Sequence, residues 1–153
     1  MTTTLVRVEW TDPDLQRLVA AQEAEVIERY GDEMAAQPLE PGTVSVGLLV
    51  RDDAGVAVGC GVLRDPAPAF QAGTAELNRM YVVPEQRRKG LAKVILRELE
   101  AIAVQRKVTQ LVLETGVLLE EAIGLYSSEG YRIIDNYEPY EDSEDSRCFA
   151  KAL

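Results

Sequence analysis

Val82-Val83-Pro84-Glu85-Gln86-Arg87-Arg88-Lys89-Gly90-Leu91-Ala92 joins a β-rich run to a long stretch of helical period. The run before it, Thr74 to Val83, is closed by Pro84, which cannot donate to a sheet ladder. The stretch after it, from about Arg88 to Arg106, puts Leu91, Ile95, Leu99 and Ile102 on one helical face. A strand feeding a helix in this way presents unpaired N–H groups and the positive end of the helix dipole above the turn. Gly90 permits close approach, and Ala92 leaves the first helical turn uncrowded. Arg87, Arg88, Lys89, Lys93 and Arg97 are five basic residues with no acidic one between Gln86 and Arg97. That is +5 in a chain of −10, leaving −15 elsewhere. The direct reading is an anion site for a phosphate or pyrophosphate. The competing reading is a solvated helix start with ordinary surface cations. It is not a P-loop, because G-x-x-x-x-G-K-[ST] is absent.

Working outward, two more β-rich runs precede this unit. Val44 to Val50 and Val56 to Leu63 flank the turn Arg51-Asp52-Asp53-Ala54-Gly55, a hairpin pattern. Gly59 and Gly61 in the second run predict close backbone approach or a bulge. Towards the N-terminus, Leu5 to Glu9 alternates like a short strand. Asp12-Pro13 then supplies an N-cap and a first-turn proline. Leu15, Leu18, Val19, Val26 and Tyr30 follow at helical spacing, and Gly31 ends the pattern. Asp32 to Gln37 reads as one more short helix before the Pro38 to Gly42 break. On the C-terminal side, Thr109 to Glu114 is a buried-type strand and Glu120 to Glu129 a helix closed by Gly130. Tyr131 to Asn136 and Cys148 to Leu153 are the last strands. The order β-α-α-β-β-β-α-β-α-β-β predicts an α/β domain with a mixed sheet.

The chain has 153 residues, a length that suits one domain, here 1–153, with a core that needs no staples. Its acidity disfavours nucleic-acid partners. It contains no histidine, which removes Ser-His-Asp and Cys-His triads and the common zinc sites, so no metal is expected. Two cysteines, Cys60 and Cys148, cannot build a disulfide framework and read as buried reduced thiols. Met1 to Trp10 lacks a basic region followed by an apolar core, and no run approaches the roughly 20 apolar residues of a membrane helix. The expectation is a soluble cytoplasmic protein with no membrane partner.

Arg87-x-x-Gly90-x-Ala92, after a strand ending Met80-Tyr81-Val82-Val83, resembles the pyrophosphate-binding motif of the GNAT superfamily of N-acetyltransferases. Ala122-Ile123-Gly124-Leu125-Tyr126-Ser127-Ser128-Glu129-Gly130-Tyr131 resembles the family's A-x-x-L-Y-x-x-x-G-[FY] segment. Leu113-Glu114-Thr115-Gly116 is similar to a bacterial branch with largely unassigned acceptors. The resemblance covers residues 44 to 153 well and the N-terminal helices loosely. It implies a mostly antiparallel sheet whose strands before and after the long helix splay apart, with acetyl-CoA as co-substrate in the V. The pantetheine arm would pair with the backbone of Tyr81, Val82 and Val83. The pyrophosphate would rest on Arg87, Arg88, Lys89, Gly90, Leu91 and Ala92. Thr115 would stand near the pantetheine, where many relatives carry asparagine, and Arg88 stands where many carry glycine.

The implied activity is direct acetyl transfer to a primary amine, on a small molecule sooner than on a protein, and the family's habit implies a homodimer. Such chemistry needs a base for the amine proton and an acid for the leaving thiolate. Tyr126 matches the family's tyrosine acid; read from the residues alone, it is equally a core tyrosine. Glu76 matches a glutamate base of the histone acetyltransferase branch. Its other readings are an ion pair with Arg79 or a solvent-facing carboxylate, and a water chain could replace a base. The run Asp135 to Asp145 holds six acidic residues and no basic one, with Tyr137 and Tyr140 interleaved. It reads as a cation-attracting rim or as a solvated acidic loop. The rival functions are a non-catalytic acyl-CoA-binding module and a transferase of another acyl group or to a hydroxyl. The resemblance draws acceptor contacts from the N-terminal helices and the last two strands.

Overall fold

The computed structural model describes residues 2–32 and 38–153. Strands β1 (Thr4–Val8), β2 (Val44–Arg51), β3 (Ala57–Arg64), β4 (Thr74–Val82), β5 (Gln110–Gly116), β6 (Arg132–Ile134) and β7 (Ser146–Ala152) form one sheet in the order β1-β2-β3-β4-β5-β7-β6. Helices α1 (Pro13–Tyr30), α2 (Leu91–Gln105) and α3 (Glu120–Ser128) cover it. All neighbouring strands are antiparallel except β4 and β5, which makes the sheet mixed. The expected helix over Asp32 to Gln37 falls mostly on residues 33–37, outside the described residues.

Helix α1 starts and stops where its sequence signals stand. The Asp12 carboxylate accepts from the amides of Asp14 (2.9 Å) and Leu15 (3.1 Å), satisfying two otherwise orphaned donors. The Gly31 amide closes the helix by donating to the Ile27 carbonyl. Its Leu15, Leu18 and Val19 pack on Leu49, Cys60 and Val62 on one face of the sheet. Ile95, Leu96, Leu99 and Ile102 of α2 pack on Leu48, Leu63, Leu77 and Leu111 on the other. Cys60 and Cys148 are buried, reduced thiols. Among the described residues no helix is long and apolar enough to cross a membrane.

Two features of the sheet create the site. The first is a bulge in β4. Cys60 pairs with Tyr81 but Val62 pairs with Asn78, so Arg79 and Met80 together oppose Gly61, and Arg79 has a φ of 53°. The extra residue reverses side-chain parity: Met80 faces the α2 core, while Asn78 stays on the side of Glu76. Gly61 fits this crossing because a Cβ there would lie 2.6 Å from Met80 Sδ and 2.9 Å from Leu99 Cδ1. The second feature is a split. β4 and β5 pair only from Thr74–Gln110 to Glu76–Val112, then part.

Gly47 of β2 lies close against both β1 and α1. A Cβ there would lie 2.8 Å from both the Val8 carbonyl oxygen and Leu15 Cδ2. Since the first of these is backbone, Gly47→Ala is expected to cost about 1–3 kcal/mol, lowering the thermal midpoint by roughly 2–12 °C in a melting experiment.

Candidate active site

The split between β4 and β5 holds a cavity of ≈ 260 Å³. Asn78, Arg79 and Met80 line one wall, and Leu113 to Gly116 line the other. Helix α1 contributes Gln22, Val26 and Tyr30, spaced one turn apart on a single face. Helix α3 contributes Ala122 and Tyr126.

Tyr126 is 6% exposed and reaches the cavity from the α3 side, its ring edge-on to Tyr131 at 5.6 Å. It is thus both a core tyrosine and a cavity group. Burial, reinforced by the Glu114 carboxylate, pushes its phenol upward and keeps it protonated. Glu114 lines the same cavity from β5 and accepts a 2.7 Å hydrogen bond from Ser146 Oγ. Burial is the main cause that raises its carboxyl above the ordinary glutamate value; the Ser146 hydroxyl opposes that shift. Thr115, buried beside it, also lines the cavity.

Glu76 stands elsewhere. It is buried in β4 but does not line the cavity. Its Oε1 accepts from Arg64 Nη1 and Asn78 Nδ2, both at 3.0 Å, and its Oε2 accepts from Tyr137 Oη at 2.8 Å. Of the alternative readings, neither the solvent-facing carboxylate nor the ion pair with Arg79 is found among the described residues. Arg64 takes that place, and Arg79 Nη2 reaches Glu23 Oε2 of α1 at 3.0 Å. The cause is the bulge, which turns the chain after Asn78.

Glu114 is the group that the sequence reading passed over as a site. In the sequence, Leu113-Glu114-Thr115-Gly116 marks only a resemblance to a family branch. Its signal is parity: Leu113 and Thr115 face one side of β5, so Glu114 faces the other, beside the split.

The turn into α2 carries the residues expected to hold an anion. None of the amides from Arg88 to Lys93 donates to a backbone carbonyl among the described residues. Left-handed backbone at Arg88 (φ 66°) and Gly90 (φ 81°) turns these amides together, and the space at Gly90 is open. The conformation at Arg88 is one that glycine adopts freely, at a cost of about 1–2 kcal/mol for other residues. The side chains divide. Arg87 Nε donates to the Val82 carbonyl at 2.8 Å, its Nη2 pairs with Glu25 at 2.8 Å, and its guanidinium covers the Tyr81 ring. Lys93 and Arg97 both meet Glu129. Leu91 enters the core. Of the five cations, Arg88 and Lys89 have no carboxylate partner among the described residues, and both are exposed; Lys89 Nζ donates to Gln86.

The edge of β4 also divides. The Val83 amide donates to the Val58 carbonyl of β3. Strand alternation turns Tyr81 the same way and leaves Val82 facing the split. The Val82 carbonyl retains a second lone pair beside its bond from Arg87. The backbone of Val82 and the amides of Arg88 to Lys93 therefore fit an extended arm ending in a phosphate.

The acidic loop is held in place. Asn136 Nδ2 donates to the carbonyls of Tyr140, Ser143 and Ser146 at 3.1–3.2 Å, and the Tyr137 ring stacks edge-on with Phe70 and Tyr140. Asp135, Glu138, Glu141, Asp142 and Glu144 are exposed; Asp145 alone of the six lines the cavity.

A family model described as Acetyltransferase (GNAT) family matches residues 7–131. An IAA acetyltransferase from Azospirillum brasilense is 32% identical over 95 residues, which are 62% of this chain and 60% of that protein's length. The match thus spans about three-fifths of that relative. A Klebsiella pneumoniae protein assigned to the acyl-CoA N-acyltransferases superposes with a TM-score of 0.82 and 32% identity, covering 99% of this chain and 98% of its own. A GNAT family acetyltransferase from Elizabethkingia anophelis, solved with acetyl-CoA bound, shares the fold with a TM-score of 0.73 and 19% identity, covering 99% of this chain and 98% of its own.

Proposed function

The chain belongs to the acetyltransferase (GNAT) family, and on that premise we propose that it transfers an acetyl group from acetyl-CoA to a primary amine of a small molecule. One observation carries this reading. The cavity in the split is lined by the buried Tyr126 and the half-buried Glu114, and β4, whose Met80 also lines it, runs on into a turn whose amides have no backbone acceptor among the described residues. Acetyl-CoA supplies a thioester carbonyl and a thiolate leaving group. Val82 and the amides of Arg88 to Lys93 hold it, with Arg88 and Lys89 adding charge. Glu114 takes a proton from the acceptor amine as its nitrogen bonds to the carbonyl carbon. Tyr126 gives its phenolic proton to the sulfur as the carbon–sulfur bond breaks. The geometry favours Glu114 over Glu76 as base, because Glu76 does not line the cavity and its oxygens already serve three donors. Gln22, Val26 and Tyr30 of α1 surround the amine together with Tyr140, Ser143, Asp145 and Ser146.

The test is release of CoA from acetyl-CoA across a panel of primary amines, with acetyl-CoA affinity measured by calorimetry beside it. Amine-dependent release supports the reading. Tight binding with no release on any amine, including cell-extract small molecules, would replace it with an acyl-CoA-binding module. Arg88→Ala/Lys89→Ala is expected to weaken acetyl-CoA binding about tenfold at low salt and less at high salt, since both cations are exposed. An equal loss at both salts would count against a charge contribution.

A further inference from the structure

Glu114 and Asp145 both line the cavity, and neither has an ion-pair partner among the described residues. The other enclosed carboxylates do: Glu76 with Arg64, Glu100 with Lys151, Glu129 with Arg97 and Asp65 with Arg106, at 2.9–3.0 Å. The cation in the cavity wall, Arg79, is matched by Glu23 at 3.0 Å and also donates to Asn78 Oδ1 at 2.8 Å. The lining therefore carries two carboxylates that no ion pair neutralises among the described residues. A third feature has the same sign. Gln22 Oε1, in the same lining, is a buried acceptor with no donor among the described residues. An unmatched buried acceptor is costly, and ammonium groups carry donors and no acceptor.

We propose, resting on the acetyltransferase reading above, that the acceptor is a small di- or polyamine: one amine reacts beside Glu114 while a second stays an ammonium held by Asp145. The cavity volume, ≈ 260 Å³, falls just below the roughly 300–1,000 Å³ of drug-sized sites, which suits a slender chain. Asp145 is placed for this role by the fold. Its carbonyl accepts from the Val117 amide at 2.8 Å, and Asn136 pins the loop around it. An acceptor bearing a carboxylate at its far end would set like charge against Asp145.

The experiment compares 1,4-diaminobutane, 1-aminobutane and 4-aminobutanoate with acetyl-CoA, in the wild type, Asp145→Asn and Asp142→Asn. Asp142 lies on the same acidic loop but is exposed and outside the cavity. The expected kcat/KM for the diamine exceeds that for the monoamine by about tenfold, with 4-aminobutanoate lowest. Asp145→Asn brings the diamine-to-monoamine ratio to within about twofold of one, whereas Asp142→Asn preserves it, because a charge on the exposed rim is screened. A monoamine or 4-aminobutanoate as good as the diamine overturns the proposal, as does a ratio that survives Asp145→Asn. If no amine is acetylated, calorimetry with CoA and 1,4-diaminobutane separates the two readings. Diamine binding that Asp145→Asn weakens keeps the site and removes the transferase; no diamine binding removes the site.

Discussion

Glu114→Gln and Tyr126→Phe are each expected to lower kcat by about 10²–10⁴-fold, the usual contribution of a positioned acid or base. Neither change disturbs packing. Glutamine is isosteric and can still accept from Ser146 Oγ, and phenylalanine keeps the ring contacts with Tyr131 and Phe149. The pH dependence has a definite sign. A base works ionised, so kcat/KM falls as pH drops through the pKa of Glu114. Burial sets that limb above the ordinary glutamate value of about 4.3, and the limb disappears in Glu114→Gln. Stability moves the opposite way. A carboxyl whose folded pKa is raised favours the fold while protonated, at low pH, and loses that contribution as pH rises through the folded value. Glu114→Gln is therefore expected to melt higher than the wild type at pH 8, with a difference that shrinks towards pH 4. A variant that is inactive yet more stable cannot be explained as misfolded. Glu76→Gln supplies the contrast: a kcat loss as large as that of Glu114→Gln would return the base to β4.

Arg64→Ala should produce the largest loss of stability, about 3–5 kcal/mol, because removing one partner strands a buried charge. Glu76 has a side chain only 4% exposed, and without Arg64 it keeps two neutral donors among the described residues, Asn78 and Tyr137. At this chain length the loss corresponds to roughly 6–20 °C in the thermal midpoint. The double variant Arg64→Met/Glu76→Gln is expected to recover most of it, since no charge then remains buried. If the double variant is as unstable as Arg64→Ala, the cost lies in the packing of the arginine stem instead.

What could be read in the residues was local. Asp12-Pro13 and Gly31 bound α1 because capping involves neighbours within four positions. Leu91, Ile95, Leu99 and Ile102 announced α2 through their period, although the helix begins at Leu91 and not near Arg88, since Arg88 and Gly90 take left-handed backbone. Tyr126 was found through a motif that sits within one helix and its exit turn. What could not be read was long-range. The motif points Arg87 at a phosphate, and its partner Glu25, 62 positions away, is not legible from the motif. The +5 cluster lost two members to Glu129 across the α2–α3 contact. The position of Glu76 is legible, but its partners Arg64 and Tyr137 are not, since they come from a neighbouring strand and a distant loop. Gly61 carried a readable hint of a bulge, but the extra residue belongs to the opposing strand, at Arg79.

The three rungs that join β4 to β5 have a mechanical consequence. They are a seam between two half-sheets, one built from β1 to β4 and the other from β5, β7 and β6. A molecule lying in the opening touches both lips and acts as a splint, so occupancy should tighten the whole sheet and not merely the pocket. Amide exchange along the open edges of Val82 and of Leu113 to Gly116 would then slow together on loading. The melting temperature would climb with ligand concentration as any ligand that binds only the folded state requires. In such a protein the substrate is for a moment part of the architecture, and its departure reopens the joint.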